Sequence, residues 1–434
     1  MGRTAAKLIA LGAAAVLTTT ACAGTGGPQA APATQASVAT TIPRDPVTLT
    51  LAYTDDPPTK ALIEGFRKKY PNVTIKPQQT PFKDYIKSIK LAMSSNQPPD
   101  IAEYNPGAMN TLVPAKLILD LNPYAEAYGW DTKFPPASLE VLKSDQTAKQ
   151  FGTGNLYAVP GGLSILGVFY NKSMVSKVPT SLPEFEAELE LQKSEGRTPL
   201  SVGALQVGGF HLWNALLNVI GSVDDYRSWV YGKPDATIVT DKAKEATDTL
   251  KRWVDKGYVA KSANATADPD AQANFAQGKS AFLVTGNWAA AALETQMKDK
   301  VGFFPLPNPA GGEVKVASGA SVAYAISSKT KYPNVAAAFL DYMSSPEAAQ
   351  IQFTGGFMPV DTKAQLSTTG LRGDIAQQFA PIAQSNGIVP FPDFASPGMI
   401  DKLTPGIQGI INGTTTTDQF LASLQESWTA HHGG

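Results

Sequence analysis

The chain has 434 residues, 43% apolar and 17% charged. That length exceeds what one hydrophobic core usually serves, so two domains are expected. With 36 basic and 37 acidic residues the formal net charge is −1, which excludes the basic excess of a nucleic-acid binder and the charge run of an acidic tail.

The chain opens with Arg3 and Lys7, then an apolar stretch from Leu8 to Leu17, then small residues. Residues 1–21 read as a secretory signal, because roughly ten apolar residues are too few to span a bilayer. Cys22 is the only cysteine, so no internal disulfide can form. Leu17-Thr18-Thr19-Thr20-Ala21-Cys22 resembles a bacterial lipobox, whose cysteine is lipidated; Thr19 departs from the Leu or Val usual there. Residues 22–46 are rich in Gly, Pro, Ala and Thr without a hydrophobic period, as in a flexible tether. The expectation is a protein anchored to the outer face of the cell membrane by an N-terminal lipid.

The body begins with an alternating stretch, residues 47–56, that predicts a buried strand and a polar loop. Residues 59–71 place Leu62, Ile63 and Phe66 on one helical face, and Pro71 stops the helix. A second strand (NVTIKPQQ), a second amphipathic helix (84–95) and a short strand running into a polar loop (98–107) follow. This β-α-β-α-β rhythm predicts a parallel sheet with helices on its faces. Residues 155–175 read as two strands split by Pro160-Gly161-Gly162. Ser181, Pro183 and Glu186 mark a helix start. A helix with Leu212, Ala215, Leu216 and Val219 on its apolar face ends at Gly221. Residues 241–259 form an amphipathic helix through Ala246, Leu250, Trp253 and Val254, closed by Gly257. Residues 334–356 predict two helices broken at Ser344-Ser345-Pro346, and a last helix closes the chain.

Gly278-Lys279-Ser280 has the ending of a phosphate-binding loop, but Ala273 stands where the pattern needs glycine. The histidines are His211, His431 and His432, in no zinc spacing. No G-x-S-x-G elbow is present, and no metal or cofactor is expected. Asp55, Asp56, Glu103 and Asp393 could serve a glycosidase, yet nothing pairs them, and hydrogen-bonding carboxylates are the plainer reading. None of the seven arginines lies in the loops described next, which argues for a neutral ligand over a carboxylate or phosphate.

Seven loops share one chemistry: Tyr104-Asn105-Pro106-Gly107, Pro160 to Ser164, Gly208-Gly209-Phe210-His211, Gly286-Asn287-Trp288, Ser318 to Ser321, Gly355 to Pro359, and Asp393-Phe394-Ala395. Each joins a small residue to an aromatic, amide or hydroxyl at the end of an apolar run. Glycine lets backbone approach a ligand, polar side chains pair with hydroxyls, and flat rings cover the C–H face of a sugar. Such loops converge at the carboxyl ends of strands in α/β folds. By itself Trp288 reads more readily as a core anchor, since it follows a buried strand and precedes the apolar helix start Ala289-Ala290-Ala291.

The ordered blocks PDIAEYNPG, NLYAVPGGLSILGVFYNKSMV, FAQGKSAFLVTGNW, VGFFPLPNPAGG, ASGASVAYAISSKTKYPNVAAAFLDYMSSPEAAQ and TGGFMPV resemble extracellular solute-binding proteins of family 1. These are the substrate-binding lipoproteins of carbohydrate ABC importers, related to maltose-binding protein. The resemblance runs from about residue 47 to 430. It implies a type II periplasmic-binding-protein-like α/β fold, two lobes of mixed sheet flanked by helices, and a hinge of three crossings near Ser164, Val301–Pro305 and Ser344–Pro346. Lobe 1 would comprise 47–163 and 302–345, and lobe 2 would comprise 164–301 and 346–434.

The resemblance also implies a site. Asp55 and Asp56 would bond hydroxyls, and Glu103, Tyr104 and Asn105 would line the first lobe. Ser164 would stand at the hinge side. Phe210, His211 and, most weakly, Trp213 would come from the second lobe. Trp288 would stack on a sugar ring with Asn287 near a hydroxyl. Gly319 and Ser321, then Gly356, Phe357 and Met358, would add contacts, with Asp393 and Phe394 from a stretch of variable length. A monomer that captures a neutral sugar, an oligosaccharide before a monosaccharide, and delivers it to membrane permease subunits is the expectation. The alternatives are a secreted glycoside hydrolase, or a binder of a non-sugar polyol or glycerophosphodiester in the same fold.

Overall fold

The computed structural model describes residues 37–433 except 55–57, 105, 320, 362–363 and 367–368. The signal segment, Cys22, Asp55, Asp56 and Asn105 lie outside the described residues. A compact body begins at Val38, and two sheets organise it.

In chain order, β1 (Val47–Tyr53), α1 (Pro58–Lys69), β2 (Val73–Gln79), α2 (Phe82–Ser94) and β3 (Ile101–Tyr104) form the expected rhythm. Both β2 and β3 pair with β1 in parallel. Leu62, Ile63 and Phe66 are buried on α1, as its apolar period requires. Then come β4 (Val159–Leu163), β5 (Leu166–Asn171), α3 (Leu182–Ser194), β6 (Thr198–Ser201), α4 (Gly208–Ile220) and α5 (Asp241–Asp255). Ser181 caps α3 by accepting from the Glu184 N–H at 3.3 Å, the bond that favours serine at a helix start. Gly257 follows α5 with φ +74°, the left-handed position glycine tolerates. The chain continues through β7 (Ser280–Gly286), β8 (Val301–Phe304), β9 (Ser321–Ile326), α6 (Pro333–Tyr342), α7 (Pro346–Thr354), α8 (Gly370–Gln384) and α9 (Thr417–His432).

The first sheet runs β2-β1-β3-β9-β4 and the second β8-β5-β7-β6. Both are mixed: β9 is antiparallel to β3 and β4, and β6 is parallel to β7 while β5 is antiparallel to it. Each sheet is flanked by helices, the two-lobe α/β architecture expected.

Three local expectations differ from the structure. Pro160-Gly161-Gly162 does not split two strands but lies inside β4. β4 is an edge strand, where proline's missing N–H costs no ladder bond; the break comes at Ser164-Ile165. Gly208-Gly209-Phe210-His211 is the first turn of α4, not a loop. Ser344–Pro346 is not a passage between lobes. Ser345 caps α7, accepting from the Ala348 N–H at 3.2 Å, and α7 packs on α1 and β4 of the first sheet. The next helix, α8, packs on β8 of the second sheet, so the chain crosses between Gly355 and Gly370.

Candidate functional site: a cleft between the two sheets

The carboxyl ends of β1, β3 and β4 and those of β6 and β7 face one cleft of about 930 Å³. Crevices outside the carboxyl ends of strands are where open α/β folds bind ligands. Thr54, Phe82, Glu103, Tyr104 and Val322 contribute from the first sheet's side. Gln206, Phe210, His211, Asp268, Gln272, Thr285 and Trp288 contribute from the second, and Ser164, Phe357, Phe391 and Asp393 complete the lining. No arginine lines it among the described residues.

The aromatic wall belongs to the second sheet. Trp288 is partly exposed where the other five tryptophans are buried. Trp213, for example, is 0% exposed and donates its indole N–H to Thr247 at 2.8 Å, so it is a core residue. The His211 ring lies 5.6 Å from Trp288 and 5.4 Å from Phe391, centroid to centroid. Burial pushes the His211 imidazole down to about 3, so it is neutral at ordinary pH and adds a polar edge without charge.

The first turn of α4 holds Phe210 and His211 in place, and Asp268 fixes that turn. Its carboxylate accepts from the Gly208 N–H at 2.9 Å and the Val207 N–H at 3.2 Å, satisfying donors a helix start leaves open. A Cβ on Gly208 or Gly203 would stand 2.5 or 2.4 Å from Asp268 Oδ1, so glycine permits the approach. Burial outweighs both amide bonds and pushes the Asp268 carboxyl up to about 6.

The opposite wall is polar. Glu103 is 2% exposed, and its carboxylate accepts from Thr54 Oγ1 at 2.7 Å and Thr59 Oγ1 at 2.5 Å. Tyr324 donates to Thr59 in turn at 2.6 Å. Tyr104 is buried beside it, and its hydroxyl has no partner among the described residues.

Of the residues singled out from sequence, Glu103, Tyr104, Ser164, Phe210, His211, Trp288, Phe357 and Asp393 line the cleft. Asn287 does not: it is 0% exposed, and among the described residues its side chain bonds backbone alone. Gly356 and Met358 belong to the chain crossing beside it, with Met358 bonded to Leu163 in both directions at 2.7 and 2.8 Å. Gly319 donates to the Val389 carbonyl at 2.8 Å and lies where a Cβ would meet the Ser164 carbonyl at 2.0 Å; its role is close packing. Phe394 is 2% exposed, and its carbonyl accepts from Asn110 at 3.0 Å. Ser321 opens β9 opposite Leu163. Among the lining residues that sequence reasoning missed are Thr54, Phe391 and Asp268. The first two adjoin loops already singled out, whereas Asp268 carried no local signal, since its partners lie 60 residues away.

The family model for bacterial extracellular solute-binding proteins matches residues 53–350. The chain is 25% identical over 335 residues to a multiple sugar-binding protein of Streptococcus mutans, covering 75% of each. It is 21% identical over 345 residues to a maltodextrin-binding protein of Bacillus subtilis, covering 77% of this chain and 78% of that one. In fold it is similar to a chitin oligosaccharide binding protein, with a TM-score of 0.75 at 21% identity over 90% of this chain and all of the other. It is also similar to the GacH receptor of Streptomyces glaucescens, with a TM-score of 0.72 at 20% identity over 89% and 99% of the two chains. The chain belongs to the bacterial extracellular solute-binding protein family.

Proposed function

We propose that the protein captures a neutral sugar, an oligosaccharide before a monosaccharide, and delivers it to the permease of an ABC importer. The observation that carries this reading is the pairing of walls in the cleft. Trp288, His211 and Phe391 offer rings for the apolar face of a sugar, and the lining that holds Thr54, Glu103 and Asp393 is polar, as its hydroxyls require. A neutral His211 and an arginine-free lining suit an uncharged ligand better than an anion. Relatives named for multiple sugars and maltodextrin support the same class.

In this reading the lobes close over the sugar, and the closed form is what the permease engages. A ligand drives that shift only by binding the closed form more tightly. Cys22 carries the lipid, and the mature chain acts as a monomer outside the cell membrane. No helix among the described residues is long and apolar enough to cross a membrane.

Calorimetry of the secreted chain against maltose, maltotriose, raffinose, chitobiose and glucose tests the reading. Binding of at least one oligosaccharide without turnover is expected. Silence across the panel, with tight binding of a charged metabolite such as a glycerophosphodiester, would overturn it.

A further inference from the structure

We propose that Asn287 is a positioning residue that couples the aromatic wall of the cleft to the hinge. The inference rests on the lobe-closure reading above and assigns that closure a specific side chain. Asn287 follows β7 of the second sheet directly and immediately precedes Trp288. Its Nδ2 donates to the Gly356 carbonyl at 2.7 Å and the Leu163 carbonyl at 3.3 Å. Its Oδ1 accepts from the Ile165 N–H at 2.8 Å, and its own N–H donates to the Ile165 carbonyl at 3.2 Å.

Those partners belong to two separate passages of chain. Leu163–Ile165 joins β4 of the first sheet to β5 of the second. Gly356 follows α7, which packs on the first sheet, and precedes α8, which packs on the second. The two passages are bonded to each other through Leu163 and Met358. One amide thus fastens both crossings to the strand end that presents Trp288. The partner chemistry fixes the amide's orientation, because both Nδ2 partners are carbonyls and the Oδ1 partner is an N–H. With both Nδ2 partners and the Oδ1 partner in backbone, and no exposure to the cleft, the side chain is spent on chain, not ligand. Gly356 is part of the fit: its φ is +95°, and a Cβ there would stand 2.8 Å from the Asn287 carbonyl oxygen. A sugar that draws on Trp288 therefore pulls on a residue bolted to the pivots.

The test is the ligand-free interlobe distance. Spin labels at Lys76→Cys and Lys261→Cys, in the full chain carrying Cys22→Ser, report it by pulsed electron resonance. Asn287→Asp keeps the acceptor for Ile165 but sets oxygen against oxygen at Leu163 and Gly356. Gly356→Ala leaves Asn287 intact and pushes the later crossing away from it. Both variants are expected to shift or broaden the distance distribution. Both should weaken binding of the tightest panel sugar at least about fivefold, the low end of coupling between sites. Asn287→Asp should recover part of the native distribution as pH is lowered from 8 to 5, because a protonated carboxyl donates again. Native distributions in both variants would overturn the proposal whatever the sugar result, and so would failure of both to fold, which would make Asn287 a folding requirement only. Because the ligand-free distance needs no sugar, its outcome is independent of the sugar panel, which tests the function reading alone.

Discussion

The His211 imidazole leans over the Trp288 indole at 5.6 Å with an interplanar angle of 59°. One ring comes from the first turn of a helix and the other from the turn after a strand. Two unrelated backbone elements thus build a single aromatic surface.

Removing the larger ring should cost binding without costing the fold. Trp288→Ala is expected to weaken oligosaccharide binding by about 1–3 kcal/mol, as loss of an aromatic anchor in an interface does. Its partial exposure predicts a small change in melting temperature. Calorimetry and thermal unfolding of the same variant separate the two. A variant that unfolds but keeps its residual affinity would show that Trp288 is core.

Acid titration should reveal two opposing groups. His211 is held near 3 in the fold, below its ordinary 6.5, so between those values the unfolded chain binds the extra proton and stability falls as pH drops. Asp268 is held near 6, above its ordinary 3.8, so across that interval the folded chain binds the extra proton and stability falls as pH rises. The two slopes cancel between about pH 4 and 6, each bounded by about 1.4 kcal/mol per pH unit. Denaturant midpoints of His211→Phe should drop with rising pH in that window, and those of Asp268→Asn should climb.

Asp268→Ala should also loosen the helix start it caps. A loss of about 1 kcal/mol in stability is expected, the usual worth of a cap. Sugar affinity should fall too, because Phe210 and His211 ride on that turn. Gly208→Ala should reproduce the affinity loss by displacing the carboxylate. Unchanged affinity in both would detach the cap from the site.

Gly161→Ala should destabilise the first lobe. A Cβ there would stand 2.2 Å from the Tyr324 ring, and overpacking of that kind typically costs about 1–3 kcal/mol. Urea unfolding checks it. Gly312→Ala, which meets nothing within 4 Å but has φ +86°, should cost about 1 kcal/mol, backbone strain alone.

Most strands and helices were legible because burial periods are local. Leu62, Ile63 and Phe66, or Leu250 and Trp253, announce their faces within one or two turns. The aromatic loops were legible for a similar reason, since turn residues beside rings are a short-range pattern. Asn287 was not, because its sequence says only that an amide precedes an indole. What it bonds is decided by Leu163 and Gly356, 124 and 69 positions away. The helix break at Ser344–Pro346 misled for a related reason. A capping serine followed by proline starts a helix identically whether or not the chain has changed lobes.

The distribution of the six tryptophans has an optical consequence. Five are buried, and the sixth lines the cleft. The five buried indoles should hold a steady emission, so a change in fluorescence on adding sugar is the expected sign of a ligand beside Trp288. That signal would need no label, and its absence on adding a bound sugar would place the ligand away from Trp288.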